Sequence, residues 1–157
     1  MKKIIIATAI IILFSSLVYS NEKEKLDKFR VIFENHMHDF RSFHKSYGEV
    51  YNFDESNICN EILHIVAITR EYILSNITFI DIYNLVSTKK DRISIRPIIQ
   101  LNVKYYTSSL DESIRYINHL ISSTKSPGIA ASATRLRDDL RGFQRFLQLI
   151  NAKLGSG

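Results

Sequence analysis

The sequence predicts an all-α domain, an up-down-up-down four-helix bundle, preceded by an N-terminal signal peptide. Apolar residues recur at alternating three- and four-residue spacing along most of the chain, which is typical of packed helices. The 157 residues include only two prolines and five glycines, so long segments run without helix breakers. The first twenty residues have the charge and hydropathy order of an export signal.

Residues 1–20 are predicted to form a cleavable signal peptide. Lys2 and Lys3 supply the positive charges, Ile4–Tyr19 is the apolar core, and cleavage after Ser20 leaves Asn21 as the new N-terminus. The apolar stretch has 16 residues, whereas a membrane-spanning helix needs about 20. We therefore expect cleavage and a periplasmic or secreted protein, with an uncleaved membrane anchor as the alternative.

Residues 21–154 are predicted to form the single helical-bundle domain. Removing the two leader lysines lowers the formal net charge from +5 to +3, which argues against a dedicated nucleic-acid-binding protein. Cys59 is the only cysteine, so no internal disulfide can form and the core must hold the fold. This favours a bacterial periplasmic protein. Cys59 itself is read as a buried thiol or as a bridge between two chains.

Helix 1 is predicted from about residue 22 to residue 47 and helix 2 from about residue 55 to residue 87. Helix 1 has an apolar seam that Gly48 terminates as a C-cap. Its members are Leu26, Phe29, Phe33, Phe40, Phe43 and Tyr47, with His36 in the gap. Helix 2 is apolar on more than one face, which indicates a central position or an exposed patch that contacts a partner.

Helix 3 is predicted to follow a basic connector, residues 88–96, with Pro97 as its first residue. Segment 97–104 also alternates with the period of a strand, but no second segment offers a strand partner, so the prediction is a helix. Ser126 and Pro127 then form the N-cap and first position of helix 4. Short connections between four long helices give the up-down-up-down order.

Basic residues at three places are the candidate partner-binding residues. Arg70 lies inside the most apolar helix, where a buried guanidinium needs a partner within the bundle or on a bound protein. A ridge at i, i+4 and i+8 on helix 4 is the second place, and the basic connector is the third. The candidates are Arg70, Arg137, Arg141, Arg145, Lys89, Lys90 and Arg92.

No catalytic or cofactor motif is present in the sequence. His36, His38 and His44 are poorly spaced on a helix for one metal, and we predict no metal and no cofactor. Glu61 and His64 form one Glu-x-x-His pair, but a di-metal enzyme needs a second pair. The sequence also lacks a nucleophile elbow and a phosphate-binding glycine loop.

The function predicted from these observations is that of an exported, non-enzymatic interaction protein. It would bind another protein, or a second copy of itself, through a helical face, and an immunity or inhibitor protein is a specific example. We expect no nucleic-acid partner, and membrane contact only through an uncleaved signal peptide. The alternative is a bundle that carries a small apolar ligand, or a metal bound through His36.

Overall fold

The computed structural model describes the backbone of residues 2–86 and 88–155 and the side chains of residues 21–86, 88 and 90–154. Four helices account for nearly all of this backbone, and it contains no strand. They are α1 (Lys2–Glu49), α2 (Phe53–Leu85), α3 (Lys89–Ser123) and α4 (Pro127–Gly155). The all-α four-helix fold is therefore confirmed. The signal peptide falls on residues 1–20, whose side chains lie outside the described residues, and it stays a prediction.

The helices pack as two pairs. α1 contacts α2 most extensively and α3 contacts α4, whereas the α1–α4 and α2–α3 contacts are sparser. One hydrophobic core joins the pairs, and every helix contributes fully buried side chains such as Phe33, Ile62, Leu110 and Phe143. The predicted order of helix directions, up-down-up-down, stays a prediction.

The heptad-spaced residues of α1 divide into buried and half-buried positions. Leu26, Phe33 and Phe40 have no exposed surface, whereas Phe29 and Phe43 pack at the edge of the core. Bundle geometry explains the division, because the centre of an apolar stripe meets the core and its flanks meet solvent.

The first turns of α3 correct one prediction. Residues 88–96 are not a connector: α3 begins at Lys89, and Pro97 lies inside the helix rather than at its start. The Thr88 hydroxyl caps this helix by accepting the Asp91 backbone N–H at 3.2 Å. The cap and the acidic first turn allow the helix to begin two turns before the proline, whose missing N–H costs one intrahelical hydrogen bond.

Segment 97–104 is helical, as predicted. Ile99 and Val103 are 4% and 1% exposed, and Tyr106 continues the buried row at helical spacing. The alternation of apolar and polar residues in this segment therefore does not mark a strand. It arises because a second apolar row lies on the outer side of the same helix.

The turn between α1 and α2 corrects a second prediction. Gly48 is not the C-cap, since α1 runs to Glu49 and Tyr51 takes the left-handed conformation at φ 56°. The Tyr51 N–H donates to the Gly48 carbonyl at 3.2 Å and the Asn52 N–H donates to the Tyr47 carbonyl at 2.9 Å. These two bonds form a Schellman motif, in which glycine is the usual left-handed residue.

The start of α4 agrees with its prediction. The Ser126 hydroxyl accepts the Ile129 N–H at 3.3 Å, and Pro127 is the first helical residue. The same hydroxyl accepts a hydrogen bond from the Tyr47 hydroxyl at 2.6 Å, which ties this turn to the end of α1. Among the described residues, no helix has both the length and the apolarity that crossing a membrane requires.

Replacing Phe143 by alanine should lower the free energy of unfolding by about 3–5 kcal/mol, because it leaves a cavity in the core. Phe143 is fully buried and its ring centroid lies 5.3 Å from that of Phe29. Urea denaturation followed by circular dichroism measures the change. The control is Leu149→Ala on the same helix, where the side chain is 60% exposed and the change should stay within about 0.5 kcal/mol. Equal effects of the two substitutions would contradict the packing described here.

Replacing Tyr51 by glycine should raise the free energy of unfolding by about 1 kcal/mol. A left-handed conformation costs an L-residue roughly 1–2 kcal/mol, and the side chain lost is 80% exposed. Val50→Gly is the matched control, because its backbone φ is not positive and glycine there only adds freedom to the unfolded chain. Thermal unfolding compares the two. A gain from Val50→Gly, or a loss from Tyr51→Gly, would refute this account of the turn.

Candidate functional site

Arg70 lies on the seam between α1 and α2, not on an open face. Its Nη2 donates to Glu34 Oε1 at 3.4 Å and its Nη1 contacts the Met37 sulfur at 3.7 Å, while Nε is buried without an acceptor among the described atoms. Glu34 also accepts from Arg30 at 3.4 Å. One carboxylate therefore serves two guanidinium groups. Arg70 is thus paired within the bundle, and its side chain is 31% exposed.

The ridge on α4 consists of three arginines with different surroundings. Arg137 is 22% exposed and donates to Asp138 at 3.1 Å and to Asn118 of α3 at 3.2 Å. Arg141 shares Asp138 at 3.2 Å, and Arg145 is exposed with no ionic partner in the described part of the chain. Only Arg141 and Arg145 present substantial charge to solvent.

The basic residues at the start of α3 also differ from one another. The Lys89 side chain lies outside the described residues, and Lys90 is exposed. Arg92 donates from Nε to the Val86 carbonyl at 2.9 Å, and its guanidinium lies 5.5 Å from the Tyr83 ring centroid. Arg92 therefore caps the end of α2, because it satisfies a carbonyl that the helix leaves free.

The structure does not bring the seven predicted residues together. Arg70 lies on the α1–α2 seam, the arginine ridge lies along α4, and the lysines lie at the start of α3. They therefore do not form one charged site. Most of the arginines among them are instead held by separate contacts with other parts of the bundle.

An apolar stripe on α3 was not predicted from the sequence. Ile98, Leu101 and Tyr105 follow one another at i, i+3 and i+7 and are 56%, 70% and 63% exposed. The stripe borders α2, because the ring centroid of Tyr105 lies 6.5 Å from that of Tyr72 of α2. A helical projection would have revealed the stripe once the segment was assigned as a helix. We name these three residues the α3 stripe.

α2 exposes less apolar surface than its composition suggested. Leu74 and Ile82 are each 41% exposed, and Leu85 at the helix end is 83% exposed. Several other apolar residues of α2 are half-buried against neighbouring helices, among them Leu63, Tyr72 and Phe79. The most continuous exposed apolar row therefore belongs to α3.

The histidines of α1 have separate partners. His36 is 7% exposed and its Nε2 lies 2.7 Å from Asp139 Oδ2 of α4, while His44 Nδ1 lies 2.9 Å from the Ser56 hydroxyl. His38 is exposed. No group of three metal-type ligands occurs within the described ranges. His36 contributes to helix pairing.

Glu61 and His64 lie on the outer side of α2. Glu61 Oε2 accepts the Tyr116 hydroxyl at 2.5 Å, and this hydrogen bond raises the pKa of Tyr116 above its usual value. An open cleft of about 670 Å³ borders them, with Met37 and Arg41 among its other lining residues. Glu61 thus joins α2 to α3, and the cleft is a shallow surface feature rather than an enclosed site.

Cys59 is fully buried near the start of α2. Loss of hydration raises the pKa of its thiol to about 11, and the negative charge of Glu55 adds to the shift. Glu55 is itself held in place, since it accepts the Thr124 hydroxyl and, at 2.6 Å, the Lys125 N–H. A protonated, buried thiol is a poor nucleophile.

Comparisons with known proteins give no further assignment: the chain matches no protein-family model, no curated protein and no solved structure. The class that fold and surface define is a four-helix protein that exposes an apolar row on α3.

Cys59 should react with a disulfide reagent at pH 8 at least about 100-fold more slowly in the native protein than in urea. At pH 8 the native thiol, with a pKa of about 11, is almost entirely protonated and is also buried. Native reactivity should rise with pH, because the thiolate fraction grows tenfold per unit below the pKa. Absorbance of the released thiolate measures the rate. Ser46→Cys, at an exposed position of α1, provides a fast-reacting control. Fast labelling of native Cys59 at pH 8 would contradict its burial.

Proposed function

We propose that this chain is an exported, non-enzymatic interaction protein that binds another protein through the outer face of α3. More specifically, we propose an immunity or inhibitor protein. The observation that carries the proposal is the α3 stripe, which leaves three large apolar side chains in solvent.

The spacing of the α3 stripe suits recognition by an apolar groove. Ile98, Leu101 and Tyr105 occupy i, i+3 and i+7, which is the pattern of anchor residues on helices that bind in grooves. Single exposed apolar residues are ordinary on protein surfaces, but an ordered row of three is costly in water and gains free energy when a partner covers it. Tyr105 adds an aromatic anchor of the kind enriched in binding hot spots.

The charge beside the stripe indicates the kind of partner. Lys104 is exposed on the same helix and directly precedes Tyr105. A partner with an apolar centre and an acidic rim would match both the stripe and this lysine, because complementary charge steers association and fixes orientation. We therefore commit to a different, acidic-rimmed protein as the occupant.

Export is part of the same proposal. Residues 1–20 would direct the chain across a membrane and be removed, and residues 21–154 would then act as an up-down-up-down bundle in the periplasm or outside the cell. The charge and hydropathy order of the leader supports export. Contacts between Lys23 and Asp81 at 2.8 Å support antiparallel packing of α1 and α2.

The carrier alternative has less support. The small cavity between α2, α3 and α4, lined by Phe79, Ile99 and Ile150 among others, has about 10 Å³, which is about the space of one water molecule. An apolar ligand would need the core to open. His36, the predicted metal ligand of that alternative, is hydrogen-bonded to Asp139 through its Nε2.

Replacing Leu101 and Tyr105 together by aspartate should weaken partner binding about 1000-fold without unfolding the bundle. Two hot-spot side chains contribute about 2 kcal/mol each, and each 1.4 kcal/mol is about tenfold in Kd. The partner is captured from cells that express the chain, purified, and titrated by calorimetry against each variant. Both residues are exposed, so the thermal unfolding temperature should stay near that of the parent.

The control is Val31→Asp on α1, where the parent side chain is 49% exposed and binding should be unchanged. A tight complex that survives the double substitution would refute the α3 stripe as the binding face. Light scattering supplies the other decisive outcome. A parent dimer that the double substitution dissociates would make the occupant a second copy of the chain, against the proposal of a different protein.

A further inference from the structure

One end of the bundle combines exposed apolar side chains with positive charge. We call it the basic end, and it consists of residues 22–25, 81–86, 88–93 and 149–154. Two ion pairs bring these segments together: Lys23 lies 2.8 Å from Asp81, and Lys153 is paired with Glu22. The start of the described part of α1, the end of α2 and the end of α4 therefore meet there.

Four large apolar side chains are exposed at the basic end. Leu85 is 83% exposed, Leu149 60%, Ile93 54% and Ile82 41%. They come from three different helices, so their exposure is a property of this end and not of one amphipathic helix. Removing them from water is favourable by roughly 25 cal/mol per Å² of apolar surface.

Lysines lie beside these apolar residues. Lys90 is exposed at the start of α3, and Lys25 is exposed with its Nζ 5.8 Å from the Phe146 ring centroid. Apolar side chains bordered by lysines are typical of surfaces that lie in the interface of an anionic bilayer. The segments of the basic end contain six basic residues against four acidic ones, whereas at the other end of the bundle the exposed Tyr51 and Phe53 lie beside Glu49 and Asp54.

The polypeptide that precedes the described side chains enters the bundle at the basic end. Glu22 and Lys23 follow this polypeptide directly, and both form ion pairs at the basic end. The sequence immediately before them contains the 16-residue apolar stretch 4–19. Whenever that stretch is in a bilayer, the basic end is the part of the domain nearest to the lipid headgroups.

We propose that the basic end docks on the surface of an anionic phospholipid bilayer. Leu85 and Ile93 enter the headgroup layer, and Lys90 binds lipid phosphates. This inference goes beyond the protein-binding function and does not depend on it. Leu101 and Tyr105, the stripe residues replaced in the titration, lie eight and twelve residues beyond Ile93, which is about 12 Å and 18 Å along the helix, so the two surfaces can be altered separately.

A fluorescent label at the basic end tests the proposal in the full chain as cells produce and process it. Leu85→Cys is labelled with an environment-sensitive dye, and buried Cys59 remains unlabelled in the native protein. The probe is vesicles of phosphatidylglycerol and phosphatidylethanolamine, compared with phosphatidylcholine vesicles. We expect a shift of the emission to shorter wavelength with the anionic vesicles alone, and its loss in 1 M salt, where the Debye length is about 3 Å.

Two controls make the result specific. The same dye on Phe53→Cys, at the opposite end and 64% exposed in the parent, should show no shift. Lys90→Glu should weaken binding to the anionic vesicles about tenfold or more, whereas Lys125→Glu, an exposed lysine at the opposite end, should have little effect.

Three outcomes would overturn the proposal. They are no shift at residue 85 with anionic vesicles, an equal shift with phosphatidylcholine, which would mean that the lysines do not contribute to binding, and an equal shift at residue 53. None of them bears on the Leu101 and Tyr105 titration, so failure here is distinguishable from failure of the proposed protein-binding function.

Discussion

Aromatic packing between α1 and α4 is the interaction on which the rest of the structure depends. The α1–α4 contact is sparser than the contact within either helix pair, yet together with the equally sparse α2–α3 contact it holds the pairs together. Phe143 lies between Phe29 and Phe33, with ring centroids 5.3 Å and 6.2 Å away. Beside the rings, His36 and Asp139 form a polar contact across the same interface at 2.7 Å. With Cys59 as the only cysteine, no disulfide replaces this packing.

The parts of the fold that could be predicted are those set by repeated local spacing. A seven-residue repeat keeps Leu26, Phe33 and Phe40 on one face and predicts that they lie in the core, and they are fully buried. The helix ends were harder, since each depends on one or two hydrogen bonds. Tyr51 takes a conformation that the sequence favours for Gly48, and Pro97 lies inside a helix because Thr88 caps it earlier.

The candidate site was predicted less well, and the reason is physical. Whether an arginine faces a partner depends on neighbours that are distant in sequence: Asn118 binds Arg137 and Glu34 binds Arg70. Local spacing carries no information on such pairs. The α3 stripe, in contrast, follows from local spacing once the helical period of residues 97–104 is chosen. The predicted helix follows only the buried row of Ile99, Val103 and Tyr106, and the outer row on the same helix lies outside that pattern.

The positions that stabilise the bundle and those offered for binding are different side chains. Phe143 and its neighbours have almost no exposed surface, whereas Leu101, Leu85 and Lys90 are exposed. Because stability arises mainly from buried apolar area, an exposed surface can change without loss of the fold. Selection for folding alone would not favour large apolar residues at such positions, where polar ones cost nothing in packing. Single exposed apolar residues are ordinary on protein surfaces, so it is the grouping of these residues, as a row on α3 and at the basic end, that the proposed protein and membrane contacts would explain.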